Sequence, residues 1–257
     1  MDSHLFNDNA GYWANRAYGY SVVNQEELSG IQHLTWSEFL SERIDDHFPG
    51  RTRESIKILD IGCGPGFISI ILTEQGYSVT AADLTEEMLE HARYNAGTLR
   101  GRISFETQNA QDLSFEDGTF DVVFSRNLTW NLPEPEKAYS EWMRVLKRDG
   151  LLLVFDANWY NYLRDDELKN AYDEDRANVN AADFEDYNIG ADFDKMEDIA
   201  RQLPLTGESR PLWDIELLRS MGASKASFIE NVGDILYSEK EKVNYRSTPM
   251  FMVEAVK

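Results

Sequence analysis

Short apolar runs alternate with segments of helical spacing through the middle of the chain. The β-rich runs lie at residues 57–63, 77–83, 103–108, 120–125 and 150–156. The segments between them, at 67–75, 85–94 and 134–146, carry apolar residues at helical spacing. Strands and helices that alternate in this way predict βαβ units and a parallel sheet covered on both faces.

The pattern changes near the end of the chain. A predicted helix at 214–221 is followed by two β-like runs, 226–232 and 249–256, which we expect to form an antiparallel hairpin. No helix-length crossover is apparent between these runs, and residues 238–248 are polar and turn-like. The predicted fold is α/β: a Rossmann-like, doubly wound, seven-stranded sheet, mostly parallel, with a C-terminal antiparallel hairpin and a helical cap insertion.

The chain divides into four predicted parts. Residues 1–56 form an N-terminal helical cover, in which 37–48 is amphipathic. Residues 57–156 form a ligand-binding, Rossmann-like core, and residues 213–257 complete its sheet. Residues 157–212 form an insertion rich in Asp, Asn and aromatic side chains. An insertion of this length commonly carries function, and here we expect a substrate cap.

Charge and composition narrow the possible functions. The 257 residues include 25 basic and 46 acidic side chains, for a formal net charge of −21. Such an acidic surface repels phosphate backbones, so a nucleic-acid substrate is not expected. A single cysteine excludes an internal disulfide framework and is typical of a reducing compartment. Because neither a secretory signal nor a membrane-length apolar run is apparent, we expect a cytoplasmic protein without a membrane partner.

The strongest chemical signal is a glycine-rich segment after the first predicted strand. Residues 58–67 have the sequence ILDIGCGPGF, and their glycines allow a tight turn and a close approach of a ligand. A dinucleotide fingerprint would need glycine where this chain has Phe67. Asp60 would repel a pyrophosphate but suits a cationic amino group. Asp83 ends the second predicted strand, where a carboxylate can accept hydrogen bonds from ribose hydroxyls.

At these residues the chain resembles the class I S-adenosylmethionine-dependent methyltransferases. DIGCGPG is similar to the family's first motif and AADLTEEML to its second, with Asp83 as the ribose acid. Residues 109–132 are similar to the quinone- and biotin-biosynthesis branch, with Ser114 in place of the usual proline. The resemblance covers roughly residues 56–156. It is weak over the N-terminal helices and absent over the insertion.

The resemblance implies S-adenosylmethionine as the cofactor, S-adenosylhomocysteine as its product and a small-molecule acceptor. The glycine loop would border the amino-acid moiety, Asn109 and Ala110 would meet the adenine edge, and Arg126 and Asn127 would line the methionine side. Arg16 or Tyr20, in a helix that covers the cofactor in related enzymes, would reach the methionine carboxylate. The expected cofactor-binding residues are Arg16, Tyr20, Asp60, Gly62, Cys63, Gly64, Gly66, Asp83, Leu84, Met88, Asn109, Ala110, Arg126 and Asn127.

Two other functions stay open at this point. An NAD-dependent oxidoreductase could use the same architecture, and a non-catalytic protein could bind adenosylmethionine without methyl transfer. Cys63 is interpreted as a small side chain tolerated between glycines rather than as a nucleophile. Asp156 and Asn158 resemble a catechol-type metal site, but the fourth predicted strand lacks the expected acid. We therefore expect no metal, and the sequence shows no convincing general base.

The candidate acceptor-binding residues are aromatic: Trp13, Trp130, Trp159 and Tyr160. Trp130 follows the fourth predicted strand, where the transferred methyl group would point, although it could equally be a core residue. The acidic, aromatic insertion could select a cationic or amine substrate. Because acidic residues are spread over the whole chain, a solvated acidic surface is the favoured interpretation of the insertion.

Overall fold

The computed structural model describes residues 3–184, 186 and 192–257. Two helices come first, α1 (Ser3–Ser29) and α2 (Ile31–His47). Gly30 separates them in an extended conformation. Helix α2 buries Trp36, Leu40 and Ile44 against the sheet, so the amphipathic segment predicted at 37–48 lies within a longer helix.

The core alternates strands and helices as predicted. Its elements are β1 (Lys57–Ile61), α3 (Phe67–Glu74), β2 (Ser78–Asp83), α4 (Glu86–Asn95), β3 (Ile103–Thr107), β4 (Phe120–Arg126), α5 (Pro135–Val145) and β5 (Leu146–Asp156). Strand β5 begins four residues earlier than the apolar run at 150–156, because a register shift between Phe120 and Val122 lets Leu146 pair with Phe120.

The second half of the chain adds helices and the last two strands. They are α6 (Asp166–Ala181), α7 (Phe193–Ala200), α8 (Leu212–Ser220), β6 (Lys225–Ile229), α9 (Gly233–Leu236), α10 (Glu239–Asn244) and β7 (Phe251–Val256). The strand order of the sheet is β3-β2-β1-β4-β5-β7-β6. Strand β7 is antiparallel to both of its neighbours, which confirms a mostly parallel, seven-stranded sheet with an antiparallel C-terminal pair.

The expectation of a turn-like connection between the last two strands was wrong. Residues 238–248 contain α10, which begins with a capping box. Ser238 accepts a hydrogen bond from the backbone N–H of Glu241, and the Glu241 carboxylate accepts one from the backbone N–H of Ser238. The Ser-x-x-Glu spacing is a helix-start signal that was present in the sequence.

The two faces of the sheet are covered separately. Leu59, Val123 and Leu152 pack on one face in a cluster with residues of α5 and α8. Ile58, Val122 and neighbouring strand residues pack on the other face, against α2 and α3. Successive strand residues therefore enter opposite cores. The strand order reverses between β1 and β4, and the carboxyl end of such a sheet near this reversal is where open α/β folds bind ligands.

Candidate functional site

The glycine loop after β1 adopts a conformation that requires glycine. Gly62 and Gly64 have φ values of 70° and 52°, in the left-handed region. The backbone N–H groups of Gly62 and Cys63 donate to the Ala82 carbonyl oxygen, at 2.8 and 3.0 Å, and so tie the loop to β2. A Cβ atom on Gly62 would lie 2.7 Å from Leu128 Cδ2. At the point where the loop faces the end of β4, there is therefore room for backbone atoms but not for a side chain.

Asp83 ends β2 beside this loop. One carboxylate oxygen accepts from the backbone N–H of Gly64 at 3.0 Å, and the other accepts from the backbone N–H and hydroxyl of Thr85 at 3.0 and 3.1 Å. Burial raises the pKa of Asp83, while these hydrogen bonds lower it. The carboxylate is thus held in a defined orientation at the pocket edge.

A first pocket of about 800 Å³ opens at the carboxyl ends of β1, β2 and β4. It contains ten of the predicted cofactor residues: Tyr20, Gly62, Gly64, Asp83, Leu84, Met88, Asn109, Ala110, Arg126 and Asn127. Residues that the sequence analysis missed also line it, among them Phe6, Asn9 and Ala10 of α1 and Gln108 and Gln111 after β3. The α1 residues had no local signal, because their position depends on how α1 packs over the sheet.

Besides Arg16, three predicted cofactor residues do not line this pocket. Asp60 is buried on the α3 side of β1, where its carboxylate accepts from the Ser69 hydroxyl at 2.5 Å, and burial raises its pKa to about 7. The Cys63 thiol is buried, and burial raises its pKa. Gly66 is the N-cap of α3 and packs against Ala92. These residues shape the loop from behind.

Arg126 connects the end of β4 to α1. Its guanidinium forms an ion pair with Glu27 and lies over the rings of Trp36 and Phe67, with its Cζ atom 4.9 and 5.3 Å from the ring centroids. Glu27 also accepts from Asn24 Nδ2 at 2.9 Å. Arg126 Nε is buried without a hydrogen-bond partner. Because Arg126 also lines the first pocket, it offers a free N–H donor beside the glycine loop.

A second pocket, of about 850 Å³, adjoins the first and shares Trp13, Tyr20 and Asn127 with it. All four predicted acceptor residues line it, and so does Arg16, which does not line the first pocket. Its described lining residues are Tyr12, Trp13, Arg16, Tyr20, Asn127, Trp130, Trp159, Tyr160, Tyr162, Tyr172, Phe193, Asn244, Tyr245 and Thr248. The second pocket is therefore walled mainly by aromatic rings.

Trp130 is both a packed residue and a wall of the second pocket. Its backbone N–H donates to Asp156 at 2.9 Å and its indole N–H donates to the Asn127 carbonyl oxygen at 3.1 Å. Its ring centroid lies 5.1 Å from that of Tyr160 and 6.4 Å from that of Trp13. Trp130 is therefore both a core residue and a candidate acceptor-binding residue.

The second pocket offers no general base among the residues that the structure describes. Burial raises the pKa of Tyr20, Tyr160 and Tyr172, that of Tyr172 to about 12, so these phenols stay protonated at neutral pH. No histidine lines either pocket in the described part of the chain. His33, for example, instead contacts Glu74.

Asp156, at the end of β5, is engaged in a buried ion pair. It lies 2.6 Å from Arg210 Nη1, and Arg210 also pairs with Asp214 at 2.7 Å. Within residues 3–184, 186 and 192–257, no group of three or more His, Cys, Asp or Glu side chains could hold a metal ion.

The acidic side chains of the insertion pack outside the second pocket wherever the structure describes them. Glu197 accepts from the Tyr162 hydroxyl at 2.8 Å, and Asp175 accepts from Arg246 Nε at 3.0 Å. The aromatic half of the substrate-cap hypothesis thus matches the pocket wall, whereas these carboxylates serve packing. Residues 185 and 187–191 of the insertion lie outside the described part.

Comparison with known proteins identifies the core. Residues 59–154 match the model of a methyltransferase domain family, and these residues include the glycine loop, Asp83 and β4. The match makes this part of the chain similar to a methyltransferase domain, and it covers less than half of the chain. The comparisons offer no support for an NAD-dependent or a non-catalytic protein.

Two curated relatives are methyltransferases by name. The chain is 31% identical over 167 residues to the ubiquinone/menaquinone biosynthesis C-methyltransferase of Roseobacter denitrificans, covering 63% of each protein. It is 33% identical over 147 residues to a demethylmenaquinone methyltransferase of Leptospira interrogans, covering 53% of this chain and 57% of that protein. The matches thus span less than two thirds of the length of these relatives.

Solved structures share the fold of this chain. A Methanococcus maripaludis protein assigned to the S-adenosyl-L-methionine-dependent methyltransferases has a TM-score of 0.55 and 24% identity, with 91% of this chain and 90% of that chain covered. Over the residues that the structure describes, no helix is long and apolar enough to cross a membrane.

The residues of the first pocket fit S-adenosylmethionine, the cofactor that the family resemblance implies. Arg126 Nε and Asn127 Oδ1 are a buried donor and a buried acceptor on the pocket wall that have no protein partner. A polar ligand such as the methionine moiety can satisfy both.

Proposed function

We propose that this protein transfers a methyl group from S-adenosylmethionine, bound in the first pocket, to a small molecule bound in the second. The observation that carries the proposal is the shared wall of the two pockets. Trp13, Tyr20 and Asn127 line both, so a donor in one and an acceptor in the other would meet at these side chains. Positioning two reactants in this way makes a bimolecular step effectively unimolecular.

The cofactor-binding residues follow from their places on the first pocket. In the proposal, Asp83 accepts from the ribose hydroxyls, and Leu84 and Met88 contact the adenine from α4 and its N-terminal loop. Asn109 and Ala110 border the adenine edge. Tyr20, Arg126 and Asn127 form the methionine end.

In the proposed methyl transfer, the main task of the protein is to position the two reactants. S-adenosylmethionine supplies an already activated methyl group, because its leaving thioether is neutral. The aromatic walls of the second pocket exclude water and hold the acceptor in line. Because the described walls contain no general base, we propose an acceptor that ionises readily or is already nucleophilic.

The acceptor is proposed to be a small molecule rather than a nucleic acid. The net charge of −21 disfavours phosphate backbones, and the second pocket has the aromatic lining of a small-molecule site. The names of the two curated relatives refer to quinones, which agrees with a flat, ring-containing acceptor. A cytoplasmic location is part of this proposal and is supported by the single cysteine.

Calorimetry tests the cofactor. We expect S-adenosylmethionine and S-adenosylhomocysteine to bind and NADH not to bind. Asp83→Ala should weaken binding of both adenosyl ligands by about 10- to 100-fold, the usual loss for a hydrogen bond to a charged group. Glu87→Ala removes an exposed carboxylate nearby and should leave affinity unchanged. Absence of heat with either adenosyl ligand, or unchanged affinity in Asp83→Ala, contradicts the proposal.

A transfer assay tests the reaction. S-adenosylmethionine with a labelled methyl group is incubated with panels of phenols, carboxylic acids, amines, thiols and carbon acids. Labelled product from a small molecule supports methyl transfer. Tight cofactor binding with no turnover across all panels would favour a non-catalytic binding protein.

A further inference from the structure

We propose that the second pocket binds an aromatic acceptor that carries a carboxylate, and that Arg16 holds this carboxylate. The inference rests on the proposed function and adds the chemical class of the acceptor. It also assigns Arg16 to the acceptor, whereas the family resemblance suggests that it reaches the methionine carboxylate.

The first argument is a surplus of hydrogen-bond donors on the pocket wall. Arg16 forms no ion pair and donates no hydrogen bond within the described part of the chain, although a guanidinium has five N–H donors. The indole N–H groups of Trp13 and Trp159 are buried and have no hydrogen-bond partner. All three side chains line the second pocket. Because buried donors are almost always paired, the two indole N–H groups indicate a ligand with acceptor oxygens, and Arg16 adds a cation beside them.

The second argument is the charge of the wall. Arg16 is a cation, and none of the described lining residues is a carboxylate. Glu197 lies close by but accepts from Tyr162 and pairs with Arg201. The negative charge of Asp192 raises the pKa of Tyr12, but Asp192 does not line the second pocket. In a chain with 46 acidic residues, a described wall with one arginine and no acid favours an anion over an amine.

The third argument is the shape set by the rings. Trp13, Arg16 and Tyr20 are spaced by three and four residues on α1, so one helix face presents the guanidinium between two aromatic rings. The Trp130 ring packs against both Trp13 and Tyr160. A flat aromatic body can contact these rings while its carboxylate meets Arg16.

Binding of matched probes tests the assignment. The wild-type protein, with and without saturating S-adenosylhomocysteine, is titrated calorimetrically with benzoate, benzamide and benzylamine. These probes share one ring and carry an anionic, a neutral and a cationic group. We expect benzoate to bind at least about 10-fold more tightly than the other two, because a charge-assisted hydrogen bond is the stronger kind.

Variants locate the interaction. Arg16→Gln should lower benzoate affinity by about 10-fold or more and leave benzamide and S-adenosylhomocysteine affinities unchanged, while Arg16→Lys should keep part of the benzoate affinity. Trp13→Phe and Trp159→Phe each remove an N–H donor and keep an aromatic ring, and each should weaken benzoate by about 2- to 5-fold. Arg148→Gln removes an exposed arginine at the opposite end of β5 and should change nothing.

Each alternative outcome has a distinct signature. Benzamide or benzylamine binding as tightly as benzoate overturns the carboxylate class. Benzoate affinity unchanged in Arg16→Gln, or a loss of S-adenosylhomocysteine affinity alone, assigns Arg16 elsewhere and overturns the inference. Absence of heat with S-adenosylhomocysteine in the wild type contradicts the proposed function instead, and the benzoate titration without that ligand still tests Arg16.

Discussion

The buried pair between Arg210 and two carboxylates should be a main stabilising contact of the insertion. The side chains of Arg210, Asp156 and Asp214 are at most 1% exposed. Arg210 donates to Asp156 at 2.6 Å and to Asp214 at 2.7 and 2.9 Å. Arg210 thereby joins the end of the insertion to the end of β5. Asp156 in turn accepts from the backbone N–H of Trp130, a wall of the second pocket.

The substitution Arg210→Ala leaves two carboxylates in the interior without a counter-ion. Breaking a buried ion pair in this way costs about 3–5 kcal/mol. For a chain of this size, 1 kcal/mol corresponds to a change in Tm of about 2 °C or more, so we expect Tm to fall by at least about 6–10 °C. Thermal and urea denaturation followed by circular dichroism measure the loss.

The matched control is Arg201→Ala in the same insertion. Arg201 pairs with Glu197 at 3.2 Å, and its side chain is 48% exposed. An exposed pair of this kind contributes about 0–1 kcal/mol. If Arg210→Ala lowers the free energy of unfolding no more than Arg201→Ala does, the buried Arg210 ion pair does not stabilise the fold more than an exposed pair.

The pH dependence gives a second check on Arg210. Burial already raises the pKa of Asp156, and removal of Arg210 should raise it further. A raised folded-state pKa means that the folded form binds more protons than the unfolded form, so stability falls as pH rises. The loss of unfolding free energy caused by Arg210→Ala should therefore be larger at pH 8 than at pH 5. An equal deficit at both values contradicts the electrostatic explanation.

Three further predictions concern the glycine loop, the acid behind it and the last helix. Gly62→Ala should lower S-adenosylhomocysteine affinity and reduce stability by about 1–2 kcal/mol or more, measured by calorimetry and urea denaturation, because φ is positive and the new Cβ would meet Leu128. Burial raises the pKa of Asp60 to about 7 from its ordinary value of 3.8, so the free energy of unfolding of the wild type should fall as pH rises between these values. Asp60→Asn should flatten this slope in urea titrations. Identical slopes would refute this. Ser238→Ala removes the N-cap of α10 and should lower the free energy of unfolding by about 1 kcal/mol, measured by thermal denaturation. Ser247→Ala, which removes a serine hydroxyl that caps no helix, is the control.

The sheet was largely predictable because its information is local. Each of the seven strands lies at the position of a β-rich run. In the central strands β4 and β5, residues buried on both faces leave nearly continuous apolar runs, whereas the edge strands β3 and β6 are partly exposed. The early start of β5 was not predictable in this way. Of the four added residues, Leu146 pairs with Phe120 across the register shift, and the three polar residues 147–149 separate it from the apolar run.

The first pocket was also predicted mostly from local motifs. Gly62, Gly64 and Asp83 are placed by short turns that directly follow strands, so their positions on the pocket follow from the sheet. Asp60 shows the limit of this reasoning. The motif gave its position in β1 but not the Ser69 hydroxyl of α3 that holds its carboxylate away from the pocket.

The sequence alone determined the sheet and the glycine loop, because each depends on residues close together in the chain, and its motifs gave the proposed cofactor by resemblance. Only the tertiary structure decided the second pocket. Its rings come from α1, from the segments after β4 and β5, from α6 and α7, and from Tyr245 after α10. Hydrophobic periodicity shows which face of a helix is buried but not which distant surface covers it. Arg16 therefore lies among the aromatic rings of the second pocket because of how α1 packs, which no local pattern specifies.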